Sequence, residues 1–448
     1  MKSYQEKKEV LPTGFLATKI SWLKRVLLRM KGNRFFKNAS WLAGAELANR
    51  ITRLITAVIL ARYLSPVEFG IAAVALTCNE LIKVLAQNGV GAKIIQASEE
   101  QLSQICNTAY RLNWIFFIGL TILQCSVALI VADYYQNPEL GYMISYLAIV
   151  YLIMPFGLVQ AFLIQRNNKL RVTAIVSASQ ITADNLLTAV LALFGFGIWS
   201  IIIPKVLVAP IWLFGTLSQQ QWSRQLGATM KGAAEILQFG KNILGSELAK
   251  VLRANIDNIL VAWVLGLEAA GIYYFAKNAG LGISLSLISA FNLSLFTHLC
   301  EFSSNLHQLR REFLSSIRTT SLVLIPIIAT QAILAYWYVP LLFGEQWNIA
   351  IVPISLLCLS AIPRPMGEAA SELLKSLGRA DVDFCWNILF SIGYLLAVSI
   401  GVQWGVVGVA GAILCIHLLM PAYCIWTITQ FIPKQNKSLK QLNFLGDK

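Results

Sequence analysis

The stretch GAELANRITRLITAVILARYLSPVEFGIAAVA, residues 44–75, returns at residues 245–276 as GSELAKVLRANIDNILVAWVLGLEAAGIYYFA without a gap. At this offset of 201, ten of the 32 positions are identical, among them Gly44/Gly245, Glu46/Glu247 and Gly70/Gly271. Composition alone would give roughly two or three. Fainter echoes link FGFGIWSIIIP (194–204) with WGVVGVAGAIL (404–414), and LIQRNNKL (163–170) with LLKSLGRA (373–380). The chain therefore reads as one half repeated.

Working outward from the repeat, the solvent is lipid. Residues are 57% hydrophobic and 13% charged, roughly half the charge of a soluble domain. A length of 448 residues fits about twelve helices of roughly 20 residues each. Apolar stretches predict spans near 38–62, 68–91, 112–132, 140–161, 172–193 and 197–218, then 238–264, 268–296, 319–339, 347–371, 384–402 and 405–431. An even number per half makes the repeats parallel, related by an axis along the membrane normal. The expected fold is an all-α polytopic membrane protein. Its two six-helix lobes, 38–218 and 238–431, enclose a central cavity, with a linker at 219–237 and a tail at 432–448.

Charge sets the topology. Lys and Arg gather in alternate connections, and the opposite connections hold only Arg62, so both termini are expected on the cytoplasmic side. The net charge of +14 then reflects this bias rather than nucleic-acid binding. Segment 1–37 carries ten Lys or Arg, and Ile20, Leu23, Leu27 and Met30 share one helical face. Two readings stand: a helix on an anionic leaflet, or a basic tail. The eight cysteines lack CxxC spacing and read as packing residues.

Ionisable residues deep in a span cost about 2.5–3.5 kcal/mol each and need a reason. On the first span Glu46, Asn49, Arg50 and Arg53 fall within an arc of about 100°. On the repeat-equivalent span Glu247, Lys250, Arg253 and Asp257 fall within about 120°. Arg50, Arg53, Lys250 and Arg253 are the candidate anion-binding groups, their two stripes facing each other across the cavity. Glu46, Glu247 and Asp257 are candidate coupling or pairing carboxylates. The competing reading pairs Glu46 with Arg50 and Arg253 with Asp257 inside packed lobes. Secondary candidates are Lys83, Lys205, Lys277 and Arg364; Lys205 and Asp184 read better as local packing and pairing groups. Walker A, HExxH and strand-borne GxGxxG motifs are absent from the sequence, so neither an enzyme nor a cofactor or metal site is expected.

The pieces ILARYLSPVEFGIAAVA (59–75), NGVGAKIIQ (88–96), LGLEAAGIYYFAKN (265–278), FGEQWNIAIVPISLLCLSAI (343–362) and LLKSLGRAD (373–381) resemble, in this order, a known family. It is the lipid-linked oligosaccharide flippases of the multidrug/oligosaccharidyl-lipid/polysaccharide exporter superfamily, near the O-antigen and colanic-acid branch. The resemblance covers residues 35–431. It implies two bundles in a V shape that alternate between inward and outward openings, moving an undecaprenyl-pyrophosphate-linked sugar unit across the bacterial inner membrane. It implies cations lining the cavity, a role that falls here on Arg50, Arg53, Lys250 and Arg253. Membrane lipids, a polysaccharide polymerase and glycosyltransferases would be its partners. Two alternatives stay open: a cation-coupled drug exporter of the same superfamily, and a membrane polysaccharide polymerase or ligase. The latter class carries a long external catalytic loop that this sequence lacks.

Overall fold

A computed structural model describes residues 34–86, 89–223, 233–302 and 305–432. Most of the basic segment 1–37, the central part of the linker, the tail beyond residue 432 and the Glu46 side chain lie outside the described residues.

Twelve helical segments follow one another, and no strand occurs among the described residues. The first lobe holds α1 (Arg34–Tyr63), α2 (Pro66–Lys83), α3 (Glu99–Tyr134), α4, α5 (Leu170–Leu193) and α6. Here α4 is broken into Pro138–Leu147, Ile149–Ile153 and Leu158–Arg166, and α6 into Trp199–Leu207 and Ala209–Gln219. The second lobe holds α7 and α8, which share the continuous run Ala233–Glu301, then α9 (Leu306–Tyr338), α10 (Ile351–Ser360 and Arg364–Ser376), α11 (Ala380–Gly401) and α12 (Gly405–His417 and Leu419–Phe431). Among the described residues nine stretches are long and apolar enough to cross a membrane. Two of these each contain a pair of helices, split at Gly266 (φ +85°) and Gly405 (φ +69°). With α1 the tally agrees with the twelve spans read from hydropathy.

Local chemistry explains the segment ends. The α1–α2 corner is a capping box: Ser65 accepts from the Glu68 backbone N–H, the Glu68 carboxylate accepts from Ser65 N at 2.8 Å, and Pro66 opens the helix, the position where a missing N–H does no harm. The repeat-equivalent α7–α8 corner uses Gly266 instead, in a conformation with φ +85° and ψ −178° that a side chain strongly disfavours. Helices extend beyond the apolar spans. Thus α3 begins at Glu99 rather than near 112 and α9 at Leu306 rather than near 319. In α3 the added turns bury Cys106 and Ala109 against Val90, Ile94 and Val159, so packing outside the bilayer prolongs a helix whose hydropathy has already fallen.

The two lobes meet where α2 crosses α8. A Cβ on Gly70 would overlap the Leu267 carbonyl, and a Cβ on Gly271 would overlap the Pro66 carbonyl. Since 70 pairs with 271 and 66 with 267 in the repeat, these contacts exchange under an offset of 201, the signature of an isologous, two-fold contact. Small residues allow this approach of backbones in lipid. Facing outward, Leu129, Ile130, Phe194 and Leu341 are 69–76% exposed, which suits a hydrocarbon surround.

The lobes are also sealed at the end where α1 turns into α2. Trp347, fully buried, donates from Nε1 to the Ala61 carbonyl at 2.7 Å. Gln346 Nε2 donates to the Ala61 and Leu64 carbonyls at 2.6 and 3.2 Å. Arg62 donates to the Leu342 and Leu341 carbonyls at 2.8 and 2.6 Å. Phe69 meets Trp347 edge-on and Phe275 lies tilted against it, with ring centroids of Phe275 and Trp347 3.9 Å apart.

Candidate functional site

Five helices of the second lobe enclose a cavity of about 310 Å³. Helix α7 lines it with Lys250, Arg253, Ala254 and Asp257, a helical i, i+3, i+4, i+7 set. Helix α8 adds Tyr273 and Lys277, and the second part of α10 adds Arg364, Glu368 and Ser371. An aromatic face comes from α11 with Trp386, Phe390 and Tyr394, and α12 closes the wall with His417 and Met420.

The cavity's deepest feature is Asp257, only 1% exposed. Its carboxylate accepts from Lys277 Nζ at 2.8 and 2.9 Å, from the Tyr273 hydroxyl at 2.5 Å and from the Tyr394 hydroxyl at 3.2 Å. Lys277 also donates to the Ala254 carbonyl at 2.8 Å. This is a buried ion pair whose remaining lone pairs are satisfied, the arrangement in which such a pair is tolerated. The intrahelical pairing of Arg253 with Asp257 is thereby excluded: Lys277 takes the carboxylate. Arg253 instead reaches across to α11, where Nη1 donates to Asn387 Oδ1 at 3.0 Å and lies 3.4 Å from Ser391 Oγ. Both partners are neutral, so neither contact is an ion pair.

Arg364 is half-buried, and its Nε is buried without a hydrogen-bond partner among the described residues. An unpaired charged donor is expensive to bury. Glu368 accepts from the Asn292 amide. Lys250, with its side chain 69% exposed, lies 3.5 Å from Glu247. The cavity therefore presents four cations, Lys250, Arg253, Lys277 and Arg364, against two carboxylates, Asp257 and Glu368. Such an excess suits an anion that guanidinium groups can hold through several hydrogen bonds.

The repeat shows how unequal the lobes are. Thr52 stands where the second lobe has Arg253, Thr56 where it has Asp257, and Leu76 where it has Lys277. Asn185 Nδ2 donates to Thr52 Oγ1 at 3.2 Å, Thr182 Oγ1 to Asn49 Oδ1 at 2.5 Å, and Thr56 Oγ1 to the Asn185 carbonyl at 2.8 Å. The same α1–α5 and α7–α11 contacts are thus built with neutral side chains in one lobe and charged ones in the other.

The expected pair of facing stripes is not what the structure brings together. Lys250, Arg253 and Asp257 share the cavity with Lys277 and Arg364, whereas Arg50 and Arg53 do not line it. The face of α1 that packs on α5 carries Asn49, Thr52 and Thr56, which leaves Arg53 exposed and Arg50 half-buried. Lys83 is exposed at the end of α2. Lys205 pairs with Asp184 at 2.5 Å within the first lobe. Sequence reasoning missed the aromatic face, although Trp386, Phe390 and Tyr394 recur at i, i+4 and i+8 on one apolar helix, a spacing indistinguishable from ordinary core.

The comparisons with known proteins agree with this architecture. The sequence model of a family described as polysaccharide biosynthesis protein matches residues 59–352. The lipopolysaccharide biosynthesis protein WzxC of Escherichia coli (strain K12) is 25% identical over 392 residues, covering 85% of this chain and 78% of that protein. The succinoglycan biosynthesis transport protein ExoT of Rhizobium meliloti (strain 1021) is 25% identical over 386 residues, covering 85% and 77%. Among solved structures, the lipid II flippase MurJ in an inward closed conformation superposes with a TM-score of 0.70 at 13% identity, over 91% of this chain and 93% of its own. An inward-facing multidrug resistance transporter of the MATE family superposes with a TM-score of 0.63 at 14% identity, over 88% and 96%. These share the fold of the MOP superfamily. This chain is a multi-pass membrane protein, and with the family match spanning well over half of it, it belongs to the polysaccharide biosynthesis protein family.

Proposed function

We propose that the chain is a flippase that carries polyprenyl-pyrophosphate-linked oligosaccharide units across the bacterial inner membrane by alternating access. The observation that carries this reading is the cationic excess in the second-lobe cavity, in a chain of the polysaccharide biosynthesis family. In this reading Arg253 and Arg364 grip the pyrophosphate. Arg253 is aimed by Asn387 and Ser391, and the unpaired Nε of Arg364 gains an acceptor. Lys250, at the exposed mouth, draws the anion in. Lys277 is already committed to Asp257 and holds α7 against α8. Low dielectric strengthens each phosphate contact relative to water.

With both termini cytoplasmic, the sealed end lies on the outer side and the described conformation faces inward. Transport then requires the Trp347, Gln346 and Arg62 contacts to part while the lobes rock about the Gly70/Gly271 crossing. Arg50 and Arg53 stand on the other lobe as cations that the sugar-phosphate meets during this change. No covalent step is asked of the chain: glycosyltransferases assemble the unit before it and a polymerase uses it afterwards. A cationic drug would find the deepest carboxylate already neutralised by Lys277, which disfavours the drug-exporter reading.

The test is genetic and direct. In a strain that depends on this chain, Arg253→Ala and Arg364→Ala leave the lipid-linked units on the inner leaflet, whereas Gly411→Val, where a Cβ meets open space, leaves surface polysaccharide intact. Normal surface polysaccharide in the double variant Arg253→Ala/Arg364→Ala would refute the assignment.

A further inference from the structure

Beside its guanidinium groups the second-lobe cavity carries side chains that a pyrophosphate has no use for. Trp386 adjoins Asn387, the residue that accepts from Arg253. Glu368 and Ser371 follow Arg364 at i+4 and i+7 on α10, so the three share one helix face over about 10 Å at 1.5 Å per residue. All of them line the cavity, as does His417. Trp386 stands near the start of α11, and Ser371 near the end of α10. These two therefore lie farther from the Trp347 seal than Arg364 does.

The indole of Trp386 is held from behind. Tyr423, 3% exposed and outside the cavity lining, stacks on it with ring centroids 4.0 Å apart and planes 3° from parallel. With one face covered, the half-buried indole turns its remaining surface to the cavity. His417 Nδ1 lies 2.7 Å from the Ile413 carbonyl and so donates to it, which puts the acceptor of the neutral ring at Nε2. Glu368 takes the Asn292 amide on Oε2 and keeps Oε1 as a second acceptor. An aromatic platform bordered by a carboxylate, a hydroxyl and an imidazole matches a sugar ring. One side of a hexose is a patch of C–H groups, which suits the negative face of an aromatic quadrupole, and its hydroxyls need placed polar partners.

The repeat separates this set from ordinary packing. Between the later helices of the two lobes the register is 210: the breaks at Val208 and Leu418 correspond, as do Asn168 (φ +52°) and Gly378 (φ +72°). At that offset Trp386 answers to Val176, Tyr423 to Leu213, Glu368 to Leu158, Ser371 to Ala161 and His417 to Leu207. Leu158, Ala161 and Val176 line a pocket of only about 130 Å³ in the first lobe. The same place in the fold is thus filled by aliphatic side chains in one lobe and opens on the charged cavity in the other. Packing alone asks for neither the tryptophan nor its polar neighbours.

We propose that the second-lobe cavity holds a sugar subsite beside its anion subsite: the sugar ring nearest the pyrophosphate stacks on Trp386, and its hydroxyls bond Glu368, Ser371 and His417. This rests on the flippase reading above and adds the residues that tell a sugar-bearing lipid from a bare one. The pyrophosphate then sits deep, at Arg253 and Arg364, with the sugar trailing away from the sealed end.

Four tritiated probes of equal charge test it: polyisoprenyl pyrophosphate closed by a methyl ester, and the same lipid carrying one glucose, galactose or N-acetylglucosamine. Binding to the full chain in nanodiscs is read by scintillation proximity. At least one sugar-bearing probe should bind wild-type chain tenfold or more tighter than the methyl ester. Trp386→Leu should erase that preference and hold methyl-ester affinity within twofold, which also reports that the variant is folded. Ser371→Ala, which leaves the stack in place, should cut the preference at least threefold. Equal binding of all four probes to wild-type chain overturns the subsite and leaves the flippase reading standing, as does an unchanged preference in both variants. A Trp386→Leu chain that loses all four probes alike also overturns it, since the tryptophan then serves packing. Failure of wild-type chain to bind any probe refutes the flippase reading, and the subsite with it.

Discussion

Replacing Lys277 by methionine removes the ammonium that lies 2.8 Å from a carboxylate only 1% exposed. What remains is Asp257 with two tyrosine hydroxyls and no counter-charge from α8. Breaking a buried pair on one side costs about 3–5 kcal/mol, because the orphaned charge has lost its solvation and its partner. The reverse variant, Asp257→Asn, leaves the ammonium with the Ala254 carbonyl and should cost a comparable amount. Replacing both is different. The first lobe already shows the neutral solution, Thr56 and Leu76 at the equivalent positions, so Asp257→Thr/Lys277→Leu should recover most of the loss. The assay is thermal unfolding of the purified, detergent-solubilised chain. Lys277→Met should lower Tm by several degrees, at roughly 2–4 °C per kcal/mol or somewhat less for a chain of this size, and the double variant should regain at least half. A double variant as unstable as Lys277→Met would refute the reasoning, as would a Lys277→Met protein with wild-type Tm.

Three further outcomes follow from the same contacts. Trp347→Phe keeps the ring but deletes the donor to the Ala61 carbonyl, leaving a buried acceptor at about 1–3 kcal/mol. It should shift the lobes toward opening at the sealed end by about fivefold or more, read as faster labelling of Ala61→Cys by an impermeant maleimide; unchanged labelling would count against the seal. Gly271→Val forces a side chain into the Pro66 carbonyl and should abolish transport and lower Tm, whereas Gly411→Val, where a Cβ meets open space, should do neither. Arg364→Lys keeps a positive charge but loses the guanidinium fork, so substrate affinity should fall about tenfold while Arg364→Gln falls further; equal affinities for all three would exclude a phosphate contact there.

The repeat made the architecture legible. Identity at Gly70 and Gly271 marked the very residues on which the lobes cross, because a close backbone approach admits few alternatives to glycine. The charged stripe on α7 was legible for the same reason: a cation deep in lipid is rare enough to signal. What the sequence hid was pairing between helices. Lys277 lies 20 residues from Asp257, and no periodicity links them, whereas the competing reading could offer only Arg253 at i−4. The first-lobe stripe misled in another way. Helical angle placed Arg50 and Arg53 together, but only the packing of α1 on α5 decides which side of that arc is buried, and it is the side of Asn49, Thr52 and Thr56.

The central claim is that the second-lobe guanidinium groups carry the pyrophosphate head across the bilayer. The measurement that meets it most directly uses purified chain in sealed proteoliposomes loaded on one leaflet with a polyisoprenyl-pyrophosphate-linked N-acetylglucosamine, whose arrival on the other leaflet is followed by a membrane-impermeant lectin. Wild-type chain should expose the sugar faster than protein-free vesicles, and Arg253→Ala/Arg364→Ala should reduce the rate to that of empty vesicles. Transport by the double variant at the wild-type rate would contradict the account.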